Sequence, residues 1–84
     1  MGKETILVVD DEREIAELVR DYLEYEGFNV ILAFDGQQAL KLYQKHQPDM
    51  AILDVMLPKL DGLEVCKTIR SKSSIPILML SAKK

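Results

Sequence analysis

An α/β domain wound around a parallel sheet is the fold this sequence predicts, and three observations predict it. Short apolar runs alternate with longer stretches of helical periodicity, in the order β-α-β-α-β-α-β. The first and third runs lack polar alternation, as strands covered on both faces do. Polar groups stand where runs stop: Asp10-Asp11 after Ile6–Val9, Asp54 after Met50–Leu53, and Ser81 after Ile75–Leu80. In an open parallel sheet the strand carboxyl ends share one edge, and ligands bind there.

Thr5–Val9 is β-branched and apolar throughout, and reads as the first strand. Asp11 or a neighbour is placed to cap the helix that follows. Ile15, Leu18, Val19, Tyr22 and Leu23 recur at helical spacing through about Glu26, giving an apolar stripe assigned to the core, and Gly27 supplies a stop. Asn29–Ala33 is the second strand, and Asp35-Gly36 is a turn signal. Ala39, Leu40 and Tyr43 mark a second helix through about His46, with Pro48 breaking the chain before the third strand, Met50–Leu53. Pro58 and Asp61-Gly62 separate that strand from a third helix carried by Leu63, Val65, Cys66, Ile69 and Arg70. Lys67, Arg70 and Lys72 lie near its end, where cations favour the helix dipole. Ser73-Ser74 links it to a fourth strand, Ile75–Leu80, in which Pro76 is tolerated near the start.

At 84 residues the chain is sized for one domain and a modest core. The net charge of -3 argues against nonspecific nucleic-acid binding. The charge is uneven: residues 1–42 carry ten acids and four bases, residues 43–84 four acids and seven bases. The single cysteine, Cys66, has no internal disulfide partner, which favours a reducing cytoplasm. No apolar stretch approaches a membrane span, and the first residues lack a signal-peptide core.

If the second strand lies outside the first and the chain then reverses, the strand order is 2-1-3-4. The crevice between strands one and three is then flanked by Asp10-Asp11 and Asp54, with Ser81 one strand over. Three clustered carboxylates repel one another, and either a proton or a cation must relieve them. A hard cation with oxygen ligands fits, and Mg²⁺ typically leans on one or two carboxylates and keeps waters. A carboxylate is also a nucleophile toward phosphorus, giving an aspartyl phosphate. Asp54 stands alone at the centre of the edge and is the nucleophile candidate. Asp10 and Asp11 read as metal holders, and the Ser81 hydroxyl as a hydrogen-bond partner for a phosphoryl oxygen. Each residue also has a plain reading: Asp10-Asp11 as helix-capping charge, Asp54 as a loop acid, Ser81 as a strand-end hydroxyl, Cys66 as a small hydrophobe on a helix face and His46 as an exposed cation near a helix end. The ordered combination favours the functional reading for Asp10, Asp11, Asp54 and Ser81, while the plain reading stands for Cys66 and His46.

Val8-Val9-Asp10-Asp11-Glu12, Ala51-Ile52-Leu53-Asp54-Val55-Met56-Leu57-Pro58, Asp61-Gly62 and Met79-Leu80-Ser81-Ala82-Lys83 together resemble the receiver domain of bacterial two-component response regulators. The variant is most similar to receivers that precede a winged-helix DNA-binding domain. The resemblance runs from Lys3 to Lys84 and implies a flavodoxin-like doubly wound sheet. It implies that Asp54 is the phosphoacceptor, charged from a phosphohistidine on a sensor histidine kinase. It further implies that Asp11 and Asp54 bind Mg²⁺ directly with the backbone carbonyl of Met56, that Asp10 binds it through water, and that Ser81 is the switch hydroxyl. Pro58 and Gly62 match the loop that frames the acceptor. Arg13, Glu14 and Asp21 are candidates to face a kinase.

A complete receiver continues with a fourth helix, a fifth strand bearing a lysine and an aromatic switch residue, and a fifth helix. No position here matches those. The expectation is therefore that residues 1–84 form the amino-terminal two-thirds of a receiver. The fifth strand and last two helices would be missing, phosphorylation would be slow, and the output domain would lie elsewhere. It also follows that the segment contacts no nucleic acid or membrane directly, and that Ile77–Leu80, as a cut apolar edge, promotes self-association. Such a domain is not an enzyme beyond Mg²⁺-dependent self-phosphorylation and dephosphorylation. Three rivals stand beside this reading. An aspartate-nucleophile phosphatase wants a second acid two residues on, where Met56 stands. A flavin-binding domain wants a hydroxyl- and glycine-rich phosphate loop where Asp10-Asp11-Glu12 stands. An inactive interaction fragment is the third.

Overall fold

The computed structural model describes residues 3–54 and 62–80. Four parallel strands, β1 (Thr5–Val9), β2 (Asn29–Ala33), β3 (Met50–Asp54) and β4 (Ile77–Leu80), stand in the order β2-β1-β3-β4. Three helices connect them: α1 (Arg13–Tyr25), α2 (Gly36–His46) and α3 (Gly62–Arg70). The predicted order 2-1-3-4 and the flavodoxin-like architecture are those of the structure.

The strand register sorts the core by residue parity. Leu7 pairs with both Ile31 and Ala51, and Ala51 with Ile77, so odd-numbered side chains from all four strands share one face. There Leu7, Val9, Ala33, Ala51 and Leu53 meet Ala39 and Tyr43 of α2 and Val65 and Ile69 of α3. The even-numbered Ile6, Val8 and Ile52 form the opposite face, with Val19 and Leu23 of α1 packed against them. Side chains on both faces of β1 and β3 are thus buried, which is why those strands are apolar without alternation.

Local chemistry sets the helix ends. Asp35 takes the N-cap of α2 in an extended backbone conformation and accepts the Gln38 N–H at 2.8 Å, while Gln38 Oε1 accepts the Phe34 N–H at 2.8 Å. The Asp35-Gly36 turn signal is thus the start of a helix. Gly27, just past α1, has φ +103°, a conformation glycine adopts without a Cβ clash. Gln47 caps α2 in the left-handed region ahead of the buried Pro48.

Three expectations are corrected. The strand expected over Ile75–Leu80 begins at Ile77. Pro76 has no N–H to extend the ladder, although its carbonyl accepts the Ala51 N–H, and the Ile75 N–H turns to Ser73 Oγ. On this strand Leu78 and Leu80 are exposed. The α1 stripe is only partly core. Ala16 is fully buried and Val19 and Leu23 are half-buried, but Leu18 is 70% and Tyr22 63% exposed, and Ile15 is exposed too. The reason is placement: α1 lies over β1 and β2, and among the described residues no second helix covers the rest of that face. Finally, of Asp11 and its neighbours it is Glu12 that takes the N-cap of α1, and it does so without the expected side-chain bond. The Asp10 carboxylate accepts the Glu12 N–H at 2.9 Å.

Candidate functional site

The register that builds the core also builds the site. Val9 pairs with Leu53 across β1 and β3, so the residues that follow them, Asp10 and Asp54, emerge side by side at the carboxyl ends of the two central strands. Asp10 is tied back to the sheet by its N–H, which donates to the Ala33 carbonyl of β2 at 3.1 Å. Asp11 stands on the short junction into α1 and is exposed, whereas Asp10 and Asp54 are each only 8% exposed. One carboxylate oxygen from each of Asp10, Asp11 and Asp54 lies within 4.8 Å of the others. These are the three carboxylates the sequence singled out. Ser81, Met56 and Pro58 lie outside the described residues, and Gly62 is the buried first residue of α3.

Burial and neighbouring charge act together on Asp10. Burial is the main cause that holds the Asp10 carboxyl above its ordinary value of 3.8; the Glu12 N–H opposes it, and the charges of Asp54, Asp11 and Glu12 add to it. Oxygen donors that are partly buried and mutually repelling suit a hard divalent cation, which relieves the repulsion and the desolvation together.

A pH dependence follows. Because the folded state holds the Asp10 proton to higher pH than the unfolded chain, the metal-free fold loses stability as pH rises from 3.8 through the raised value. Urea midpoints of the metal-free protein measured across that range are expected to fall relative to those of Asp10→Asn. Parallel curves for the two proteins would show that Asp10 is not the titrating group.

Sequence reasoning missed the parts of the site that depend on chain crossings. The Ala33 carbonyl that anchors Asp10 carries no sequence signal. Neither does Arg13 over the Phe34 ring, with the guanidinium carbon 4.2 Å from its centroid, because the two residues are far apart along the chain. The Gln38–Phe34 contact was legible in principle from Asp35 and Gln38, a cap and its third helical residue.

The model of the response regulator receiver domain matches residues 6–84. Among curated proteins, the alkaline phosphatase synthesis transcriptional regulatory protein PhoP of Bacillus subtilis is 57% identical over 79 residues, covering 93% of this chain and 33% of PhoP. The uncharacterized transcriptional regulatory protein YcbL of the same organism is 48% identical over 77 residues, covering 92% of this chain and 34% of YcbL. The chain thus spans about a third of these relatives. Among solved structures, the chemotaxis response regulator CheY4 of Vibrio cholerae superposes with a TM-score of 0.92 at 36% identity, over 99% of this chain and 72% of CheY4. The response regulator TrrA of Thermotoga maritima, solved in complex with Mg(2+)-BeF, gives a TM-score of 0.89 at 40% identity, over 96% of this chain and 71% of TrrA. The order β2-β1-β3-β4, the acidic edge and these likenesses agree: the chain belongs to the response regulator receiver domain family, whose members act in two-component signalling.

Proposed function

We propose that residues 1–84 are the phospho-accepting, amino-terminal two-thirds of a receiver, in which Asp54 takes a phosphoryl group from a phosphohistidine of a sensor histidine kinase. The observation that carries this reading is the convergence of Asp10, Asp11 and Asp54 at the ends of β1 and β3, with oxygens within 4.8 Å. An Asp54 carboxylate oxygen forms the new bond to phosphorus as the phosphorus–nitrogen bond breaks, and the bonding pair leaves with the imidazole. Mg²⁺, when bound, supplies positive charge to the transferring oxygens. By family resemblance, Asp11 and Asp54 hold the cation directly with the Met56 carbonyl, Asp10 holds it through water, and Ser81 binds the phosphoryl group. The Mg(2+)-BeF complex of the TrrA relative supports the choice of cation. The domain is a signalling switch rather than an enzyme with a separate substrate. Its output, as in the transcriptional regulators PhoP and YcbL, is control of transcription through a DNA-binding domain beyond this segment. Residues 1–84 touch neither DNA nor membrane in this reading and work in the cytoplasm; no helix among the described residues is long and apolar enough to cross a membrane. The test is labelling by a small acyl-phosphate donor with Mg²⁺, read by intact mass for the parent and for Asp54→Asn.

The exposed side of β4 supports one further part of the proposal, pairing with a second copy. The Ala51 N–H donates to the Pro76 carbonyl, so the even-numbered backbone groups of β4 address β3. The N–H and C=O of Ile77 and Met79 therefore point away from the sheet, and no strand among the described residues pairs with them. With Leu78 and Leu80 exposed beside that edge, the 84-residue chain is expected to grow in mass with concentration in light scattering. Leu78→Lys is expected to shift it toward monomer, and a parent that stays monomeric at high concentration would remove this part of the proposal.

A further inference from the structure

We infer that Arg13 and Phe34 form a clasp that positions Asp11 for the cation; the inference rests on the metal reading of the acidic cluster. Asp11 is the exposed member of the trio and sits on the junction between β1 and α1, so its carboxylate is placed by where α1 begins. That helix start lacks a side-chain cap. The N-cap residue Glu12 makes no side-chain capping bond; its N–H donates to Asp10 and its carbonyl accepts the Ala16 N–H at 3.0 Å. A further anchor comes from outside the helix. The Arg13 guanidinium lies 4.2 Å from the centroid of the Phe34 ring, and its Nη1 is 3.6 Å from Glu17 Oε2.

The backbone around Phe34 is itself fixed. The Phe34 N–H donates to Gln38 Oε1, the next residue Asp35 caps α2, and the preceding Ala33 carbonyl accepts the Asp10 N–H. The clasp therefore closes a ring of contacts from Asp10 through Ala33, Phe34 and Arg13 back to Asp11. The start of α1 is thereby referred to the same rigid β2–α2 corner that fixes Asp10. Arg13 and Phe34 are positioning residues: in this reading neither touches the cation or the phosphoryl group.

Two roles for Arg13 predict opposite effects. As a mere nearby positive charge it would repel Mg²⁺, and its removal would tighten binding. As half of a clasp it needs the aromatic face, and Phe34→Leu, which keeps apolar bulk and leaves every charge in place, isolates that half. The experiment is a Mg²⁺ titration of the 84-residue chain, followed by the amide shifts of Asp11 and Glu12. It is run on the parent, Phe34→Leu, Phe34→Trp, Arg13→Ala and the Arg13→Ala/Phe34→Leu pair. Phe34→Leu is expected to weaken Mg²⁺ binding about two- to fivefold, as loss of an exposed cation–π contact would. Phe34→Trp is expected to bind at least as tightly as the parent, and Phe34→Leu is expected to have no effect once Arg13 is absent. The same loss with and without Arg13, or no loss in the parent, overturns the clasp. Amide order parameters of Asp11 and Glu12 without metal judge it separately. If the parent binds no Mg²⁺, the metal reading falls, and the clasp itself falls if Phe34→Leu leaves those order parameters unchanged.

Discussion

Asp54→Asn is expected to abolish phosphoryl labelling while leaving the fold intact. The substitution keeps the shape of the side chain and removes the oxygen proposed as the nucleophile, so an acyl-phosphate donor with Mg²⁺ is expected to add one phosphoryl group to the parent and none to the variant. The label on the parent is expected to be released by hydroxylamine, as an acyl phosphate is and a phosphoserine is not. Where labelling is slow, the comparison still reads the site rather than the rate. The variant also has a stability signature. The Asp54 charge is one of the causes that hold the Asp10 carboxyl up, so its removal eases the ionisation of Asp10 and is expected to raise the urea midpoint of the metal-free protein near neutral pH. A folded Asp54→Asn protein that labels as the parent does would place the acceptor elsewhere. A variant that neither labels nor gains stability would mean that Asp54 and Asp10 are not electrostatically linked.

Leu53→Ala is expected to unfold much of the population, and Leu18→Ala to change almost nothing. Leu53 is fully buried in a central strand, between the helix pair α2/α3 and the rest of the sheet. Truncating such a leucine typically costs about 2–5 kcal/mol through lost transfer energy and the cavity left behind. A domain of this size has roughly 4–13 kcal/mol in total, so the loss is a large share of it. The expected result is a urea midpoint lowered by more than about 1 M, with Mg²⁺ binding lost in step because Leu53 carries Asp54 at its end. Leu18 belongs to the same helical periodicity that marks core positions, yet it is 70% exposed, and its truncation is expected within about 0.5 kcal/mol of neutral. Equal shifts for the two variants would mean that α1 packs through Leu18 in solution.

That pair of leucines shows where the sequence was and was not legible. For β1 and β3 the pattern sufficed. A strand covered on both faces has no polar side to alternate with, so Ile6–Val9 and Ala51–Leu53 declare their own burial. For α1 it did not suffice, because periodicity shows that a helix has an apolar side but not how much of that side a neighbour covers. Ile15, Leu18 and Tyr22 lie along the flank that α1 turns away from β1 and β2, and only the sheet's layout shows it. β4 was misjudged for a different reason: Ile75 and Pro76 are as apolar as the strand residues, but proline lacks the donor that a ladder needs.

Element order, the parallel sheet and the three aspartates of the acidic edge are legible along the chain, because an aspartate that ends an apolar run emerges at a strand's carboxyl end. Tertiary structure decided what those carboxylates do to one another. Adjacent register of Val9 and Leu53 brings Asp10 beside Asp54. Burial then raises the proton affinity of Asp10, and the contact of Arg13 with Phe34 ties Asp11's helix to a corner built from a different part of the chain. Such effects depend on distances across strands and on exclusion of water. Neither is a property of any local stretch of residues, which is why they enter only when the sheet is assembled.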